Sequence, residues 1–402
     1  MTSRDPARED LPELGVGLVG YAFMGAAHSH AWRTAGRFFN LPMSVRMRAL
    51  CGRSRERVAA AASRLGWSSY ETDWKQLLAR DDIQLVDVCT PGGSHAEIAI
   101  AALAAGKHVI CEKPLANTVA EARAMASAAR SAAGRGIRSM VGFNYRRLPA
   151  ATFARDLVAA GKLGTIRHVR AHYLQDWIVD PEFPLVWRLR AEEAGSGALG
   201  DIGTHIIDLT QFITGQHITG VSGLTETFVK DRPLPAESPG LSAAAGAAGR
   251  GLVTVDDAAL FLARFDDGAV ATFEATRFAT GRKNGLQIEV NGDRGSLQFD
   301  VERLNELQYL DATEDPVMHG FRRIMVTEPS HPYAAAWWPP GHALGYEHSF
   351  IHQVKDLVEA VANGGDLAPS FEDGLQVQLV LDAVQRSAAS RGEWTVVEGS
   401  GL

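Results

Sequence analysis

The sequence is short of cysteine, of positive charge and of long apolar runs, and each shortage removes a class of protein. Its 402 residues hold three cysteines, Cys51, Cys89 and Cys111. They form no CxxC pair and no Cys/His spacing of the kind that holds zinc. Each sits inside or at the end of an apolar run that reads as a strand, so buried thiols in a reducing compartment are expected, not a disulfide framework. A formal net charge of -7 gives no attraction for DNA, RNA or an anionic membrane, and no basic run offsets it. No stretch approaches the roughly 20 uninterrupted apolar residues of a membrane span. Met1 to Asp10 is polar and lacks the apolar core of a signal peptide. These absences lead to the expectation of a cytoplasmic protein with no metal, nucleic-acid or membrane partner.

What remains is an ordinary globular composition at a length that calls for two domains. From Gly15 to Phe143, short apolar runs alternate with helical periodicity: strands over 15–20, 45–51, 85–89, 108–111 and 139–143, with helices over 25–38, 53–65, 74–78, 96–105 and 119–132 between them. That rhythm predicts an α/β domain over residues 12–143, a doubly wound parallel Rossmann sheet. Alternating segments at 166–173, 258–265, 269–277 and 285–291 predict an α+β domain over 144–402 with a mostly antiparallel sheet. Helices are expected there at 150–160, 203–212 and 350–362. Asp266-Asp267-Gly268 supplies the turn of one hairpin. Pro233 to Gly251, rich in Pro, Ser, Ala and Gly, reads as a surface loop. His331 to Tyr346 holds Tyr333, Trp337, Trp338 and Tyr346, so it either lines a substrate pocket or packs on another subunit.

Gly15-x-Gly17-x-x-Gly20 matches the dinucleotide fingerprint but lies before and within the strand. A phosphate turn must fall between strand end and helix start, where free N–H groups meet the helix dipole. Gly20-Tyr21-Ala22-Phe23-Met24-Gly25 satisfies this, with Ala22 in place of the middle glycine. At the end of the second strand an acid would bind the ribose 2′-OH, whereas arginine would accommodate a 2′-phosphate. The chain there reads Cys51-Gly52-Arg53-Ser54-Arg55-Glu56-Arg57. Arg53, Ser54 and Arg57 are a candidate phosphate cradle, or an ordinary solvated helix start. The cofactor expected is NAD(P), leaning to NADP.

Two further motifs carry chemistry. Gly106-Lys107-His108-Val109-Ile110-Cys111-Glu112-Lys113-Pro114 puts Lys113 just beyond the carboxyl end of a parallel strand, where open α/β sheets bind ligands. Gly197-Ala198-Leu199-Gly200-Asp201-Ile202-Gly203-Thr204-His205 places Asp201 and His205 one turn apart if it opens a helix. With the Rossmann start and Val88-Cys89-Thr90-Pro91 followed by His95, these motifs resemble the glucose–fructose oxidoreductase/inositol dehydrogenase (Gfo/Idh/MocA) family from about Val16 to Trp394.

The resemblance implies a nicotinamide-dependent oxidoreductase acting on a sugar, anhydrosugar or inositol-like polyol, with Lys113, Asp201 and His205 as its catalytic trio. It also implies a cis bond before Pro114, and cofactor contacts from Thr90, Pro91, His95, Glu112, Lys113, Asn144, Trp187 and Arg188. Substrate contacts are expected from Lys113, Tyr145, Arg146, Gln175, Asp176, Trp177, Asp201, His205 and Tyr346. Asp208 reads as structural. A homodimer or homotetramer assembled through the open face of the second-domain sheet is a family expectation. Ala22 and Gly52 depart from the family pattern. Two alternatives share the fold: a glycosidase that uses NAD transiently, and a dinucleotide sensor without turnover.

Overall fold

The computed structural model describes residues 11–235 and 245–399. Buried apolar runs pair into a parallel sheet in the order Ser69–Glu71, Ser44–Cys51, Glu13–Val19, Leu85–Val88, His108–Cys111, Ser139–Val141. Helices on the connections include Phe23–Phe38, Arg55–Leu65, His95–Ala104 and Val119–Ala133. The Ser54 side chain accepts the Arg57 N–H to cap the second of these, and Gly66, left-handed at φ 81°, ends it. The strand order reverses at Glu13–Val19, between Ser44–Cys51 and Leu85–Val88. Doubly wound sheets bind ligands beyond the carboxyl ends at such a reversal.

The chain divides into two compact units. The first runs to Leu115 and adds Ala120–Asn144 and Tyr346–Gly374; the second holds Ala116–Val119, Tyr145–Gly345 and the chain from Leu375 onward. Tyr346–Gly374, expected in the second domain, thus belongs to the first unit. In the structure, helix Glu347–Asn363 packs on Phe23–Phe38 within the first unit and buries Phe350, Ile351, Val354 and Leu357.

In the second unit, nine strands among the described residues form a mixed sheet. Its order is Arg322–Met325, Glu306–Asp311, Gly295–Asp300, Gly285–Gly292, Ile166–Leu174, Val270–Thr276, Ala258–Phe265, Ile218–Glu226, Thr395–Val396. Only Ile166–Leu174 and Val270–Thr276 run parallel. Helices Pro149–Ala159 and Thr204–Thr214 pack on it, while Leu224, Leu260, Leu262 and Val270 are exposed. The loop expected over Pro233 to Gly251 needs correction: its flanks pair as strands Asp231–Pro235 and Ala245–Leu252, and 236–244 lie outside the described residues.

Candidate active site

The first strand ends at Val19, and helix Phe23–Phe38 starts three residues after Gly20. Gly20 has φ 99°, and a Cβ there would stand 2.6 Å from the Cys89 carbonyl oxygen. A Cβ on Gly25 would meet the Gly20 oxygen at 2.0 Å, so both end glycines of the fingerprint frame are sterically required. Ala22 adopts φ −73°, which alanine takes without strain, and no side chain caps the helix start. Gly15 and Gly17 lie within the strand, where a Cβ on Gly15 would strike Asp82 O at 1.9 Å. A tight turn opening onto uncapped helix N–H groups suits a dinucleotide pyrophosphate, and Ala22 and Phe23 at its lip are exposed.

Gly52 lies against the Tyr21 ring: a Cβ there would sit 2.0 Å from Tyr21 Cε1. An acidic side chain at this position is therefore excluded while Tyr21 keeps its place. Of the nearby acids, Glu71 pairs with Arg80 at 3.1 Å and Asp73 accepts the Lys75 N–H at 2.9 Å. Arg53 and Arg57 are exposed and Ser54 half-buried.

Lys113 follows strand His108–Cys111, is half-buried, and precedes Pro114 through a cis bond. Two residues expected at the cofactor are engaged elsewhere. His95 is buried, with Nδ1 2.9 Å from Pro114 O and Nε2 2.8 Å from Thr90 O, so its ring ties two strand-end loops together. Glu112 is buried and lies 2.9 Å from His28 Nε2. Thr90 Oγ1 accepts from Ser94 Oγ at 2.8 Å, and Pro91 is exposed. Asn144 is buried and donates to Ser349 Oγ at 2.8 Å. Tyr346 stands at the head of helix Glu347–Asn363, its ring edge-on to Phe350 at 5.1 Å.

In the second unit, the Gly-Asp-Ile-Gly-Thr-His motif does not open a regular helix. Leu199–Gly203 is a π-helical turn that runs into helix Thr204–Thr214, a geometry frequent at functional sites. Asp256 anchors it, accepting the N–H groups of Gly197 and Leu199 at 2.7 and 2.8 Å. A Cβ on Gly197 would lie 1.7 Å from Asp256 O, which explains that glycine. The turn presents Asp201, whose Oδ2 is 3.6 Å from Nη1 of the fully buried Arg277.

His205 is 8% exposed, with the Tyr145 ring 4.7 Å and the Tyr173 ring 5.9 Å from its own. The two phenol oxygens are 2.9 Å apart, and Tyr173 donates to Asn284 Oδ1 at 2.6 Å. Gln175 Nε2 shares that acceptor at 3.0 Å and takes the Trp177 indole N–H on its oxygen. Tyr145, Tyr173, Asn284, Gln175 and His205 thus form one polar and aromatic cluster, in which burial raises the Tyr145 phenol pKa, opposed by its bonds to Tyr173 and Asn284.

Arg146, expected at the substrate, is instead buried with its guanidinium on Asp208 at 2.6 to 3.1 Å and over the Phe212 ring. Asp176 pairs with Lys283 at 2.8 Å, which holds its carboxyl below the usual range. Arg188 stacks on Trp187 at 4.4 Å. Three residues escaped sequence reading: Asn284 and Asp256 lie in connections just before strands, without a motif, and Arg277 only becomes conspicuous once buried.

A Rossmann unit with a glycine-bounded turn between its first strand and helix, in one chain with a mixed-sheet unit that carries Asp201 and His205, has the make-up of a nicotinamide-dependent oxidoreductase. Residues 14–142 match the oxidoreductase family with an NAD-binding Rossmann fold, and residues 152–298 match the GFO/IDH/MocA C-terminal domain. The chain belongs to the Gfo/Idh/MocA family. It is 42% identical over 383 residues to levoglucosan dehydrogenase of Pseudarthrobacter phenanthrenivorans, covering 94% of this chain and 97% of the relative. The structure of an oxidoreductase domain protein from Kribbella flavida is 66% identical with a TM-score of 0.92, covering 96% of this chain and all of that one. A levoglucosan dehydrogenase complex with NADH and levoglucosan is 41% identical with a TM-score of 0.89, covering 96% of this chain and 100% of that one.

Proposed function

We propose that the protein is an NAD(P)-dependent dehydrogenase that moves a hydride between the nicotinamide and a secondary-alcohol carbon of a sugar, anhydrosugar or inositol-like polyol. The observation that carries this reading is the His205 cluster. Two tyrosine rings flank the imidazole, and their hydroxyls lead on to the Asn284 and Gln175 amides and the Trp177 indole, a mixed polar and aromatic wall suited to a hydroxyl-rich ring. His205 takes the hydroxyl proton. Lys113 stabilises the alkoxide-like charge on the reacting oxygen. Asp201, beside Arg277, orients the substrate or supports the charge on His205. When bound, the nicotinamide accepts or returns the hydride. The levoglucosan complex of the relative makes levoglucosan the first substrate to try.

Gly20 to Gly25 hold the pyrophosphate in this reading. NADP is favoured because Tyr21 fills the place of a ribose-binding acid while Arg53, Ser54 and Arg57 head the next helix. The apolar side chains of Leu224, Leu260, Leu262 and Val270 support assembly through the open sheet face as a dimer or tetramer. Among the described residues no helix is long and apolar enough to cross a membrane, and the reading places the enzyme in the cytoplasm.

The test is reduced-nicotinamide absorbance with purified protein, NAD+ and NADP+ separately, against levoglucosan, myo-inositol, glucose and related polyols. Reduction that Lys113→Ala abolishes supports the proposal. Glycoside cleavage without net cofactor reduction would replace it with the hydrolase reading.

A further inference from the structure

The first unit buries a chain of ionisable groups that ends on the backbone of Lys113. His28, Asp87 and Glu112 are each at most 4% exposed. His28 Nδ1 lies 3.0 and 2.9 Å from the two Asp87 oxygens, and its Nε2 lies 2.9 Å from Glu112 Oε1. The Trp32 indole N–H donates to Asp87 Oδ2 at 2.7 Å, and the Cys89 thiol donates to Oδ1 at 3.3 Å. Glu112 Oε2 accepts the Lys113 N–H at 3.2 Å. Phe350, from helix Glu347–Asn363, faces the imidazole at 5.3 Å and is not ionisable.

A neutral imidazole has one N–H and one bare nitrogen. Here both nitrogens face carboxylate oxygens, so a neutral ring would set a lone pair against an anion. Two buried carboxylates sharing a neutral histidine would also leave two uncompensated charges, which burial makes costly. A doubly protonated ring removes the first conflict by donating once to each side, and its single charge offsets one of the two carboxylates. His28, Asp87 and Cys89 are also metal-ligand types whose ligand atoms lie within 4.8 Å of one another. In this geometry the imidazolium already supplies the positive charge.

We propose that His28 is a positioning residue for Lys113: a buried imidazolium that holds Glu112, and through Glu112 the main chain from which Lys113 projects. This rests on Lys113 being the catalytic lysine. The electrostatics agree in direction. Burial pulls the imidazole down, yet the neighbouring Asp87 carboxylate raises it well above 6.5. The Cys89 thiol is itself pushed up by burial and then by Asp87, so it stays neutral. Cys111, also buried, is pushed up in the same way.

Two measurements on the full-length protein test this. Nitrogen NMR of ¹⁵N-histidine-labelled enzyme should show both His28 nitrogens protonated at pH 8, a resonance pair that His28→Gln removes. A single protonated nitrogen would overturn the proposal. In steady-state assays, His28→Gln should lower kcat by about 10- to 100-fold, as a slightly misplaced group does. Its KM for the dinucleotide should stay within about twofold, and it should cost nothing further in a Lys113→Ala background. Glu112→Gln, which keeps the acceptor toward the Lys113 N–H but loses the charge, should fall between wild type and His28→Gln. Full turnover in His28→Gln while Lys113→Ala is dead would overturn the positioning role alone. Full turnover in Lys113→Ala would overturn the catalytic reading and this inference together.

Discussion

Arg277 faces Asp201 from complete burial, Nη1 to Oδ2 at 3.6 Å, with its Nη2 donating to Asp256 O at 3.0 Å and the Trp177 ring 5.5 Å away. The contact is too long for a hydrogen bond, but a cation without water around it still acts strongly on a neighbouring carboxylate. One guanidinium thus touches both the loop that anchors the π-helical turn and the acid that the turn presents. Arg277→Met should lower kcat by roughly 10- to 100-fold through misplacement of Asp201. Urea unfolding should show a loss of roughly 2–4 kcal/mol, on the low side for a broken buried pair because the Asp201 side chain keeps 24% exposure. Arg277→Lys should recover part of the rate, since lysine keeps the charge but not the fork. Unchanged kcat in Arg277→Met would remove Arg277 from the site.

Lys113→Ala and His205→Ala should each fold, bind dinucleotide within a few-fold of wild type, and lose about 10²- to 10⁴-fold in kcat. Fluorescence titration of the reduced cofactor and steady-state rates separate these effects. Near-normal turnover in both variants would end the assignment.

What could be read in the sequence divides along a physical line. The Rossmann unit was legible because its strands are continuous apolar runs and its helices carry their own punctuation, Ser54 at one start and Gly66 at the matching end. The second unit was only half legible. Helix Phe371–Ala389 and strands such as Ile218–Glu226 and Gly295–Asp300 lack strong local signals and depend on tertiary pairing. Among site residues, the motifs pointed to Lys113, Asp201 and His205, but which polar groups are already satisfied is a long-range fact. His95, Glu112 and Arg146 look like ligand contacts in one dimension and prove bonded to Thr90, His28 and Asp208 in three.

Cofactor choice should turn on Tyr21 and Gly52 together. Gly52→Asp alone places its Cβ 2.0 Å from the Tyr21 ring, so it should weaken binding of both dinucleotides. Tyr21→Ala with Gly52→Asp opens room for the acid to meet a ribose 2′-OH and repel a 2′-phosphate. The double variant should shift the NADH-to-NADPH affinity ratio at least tenfold toward NADH, about 1.4 kcal/mol. An unchanged ratio would mean that the 2′ position is read elsewhere.

His108 sets an acid limit on the first unit. Burial, and then the nearby Arg138 charge, lower its pKa to about 4 from 6.5. Its Nδ1 accepts the Arg138 backbone N–H at 2.9 Å, a bond that only the unprotonated nitrogen makes. Between these two values the unfolded chain binds the proton and the folded one does not. Stability from this group is therefore complete above about pH 6.5 and is lost as the pH falls toward 4. Melting temperature should decline across that window in wild type and decline less in His108→Asn, whose amide oxygen stands where Nδ1 stood and does not titrate. A parallel decline in both proteins would assign the acid limit to other groups.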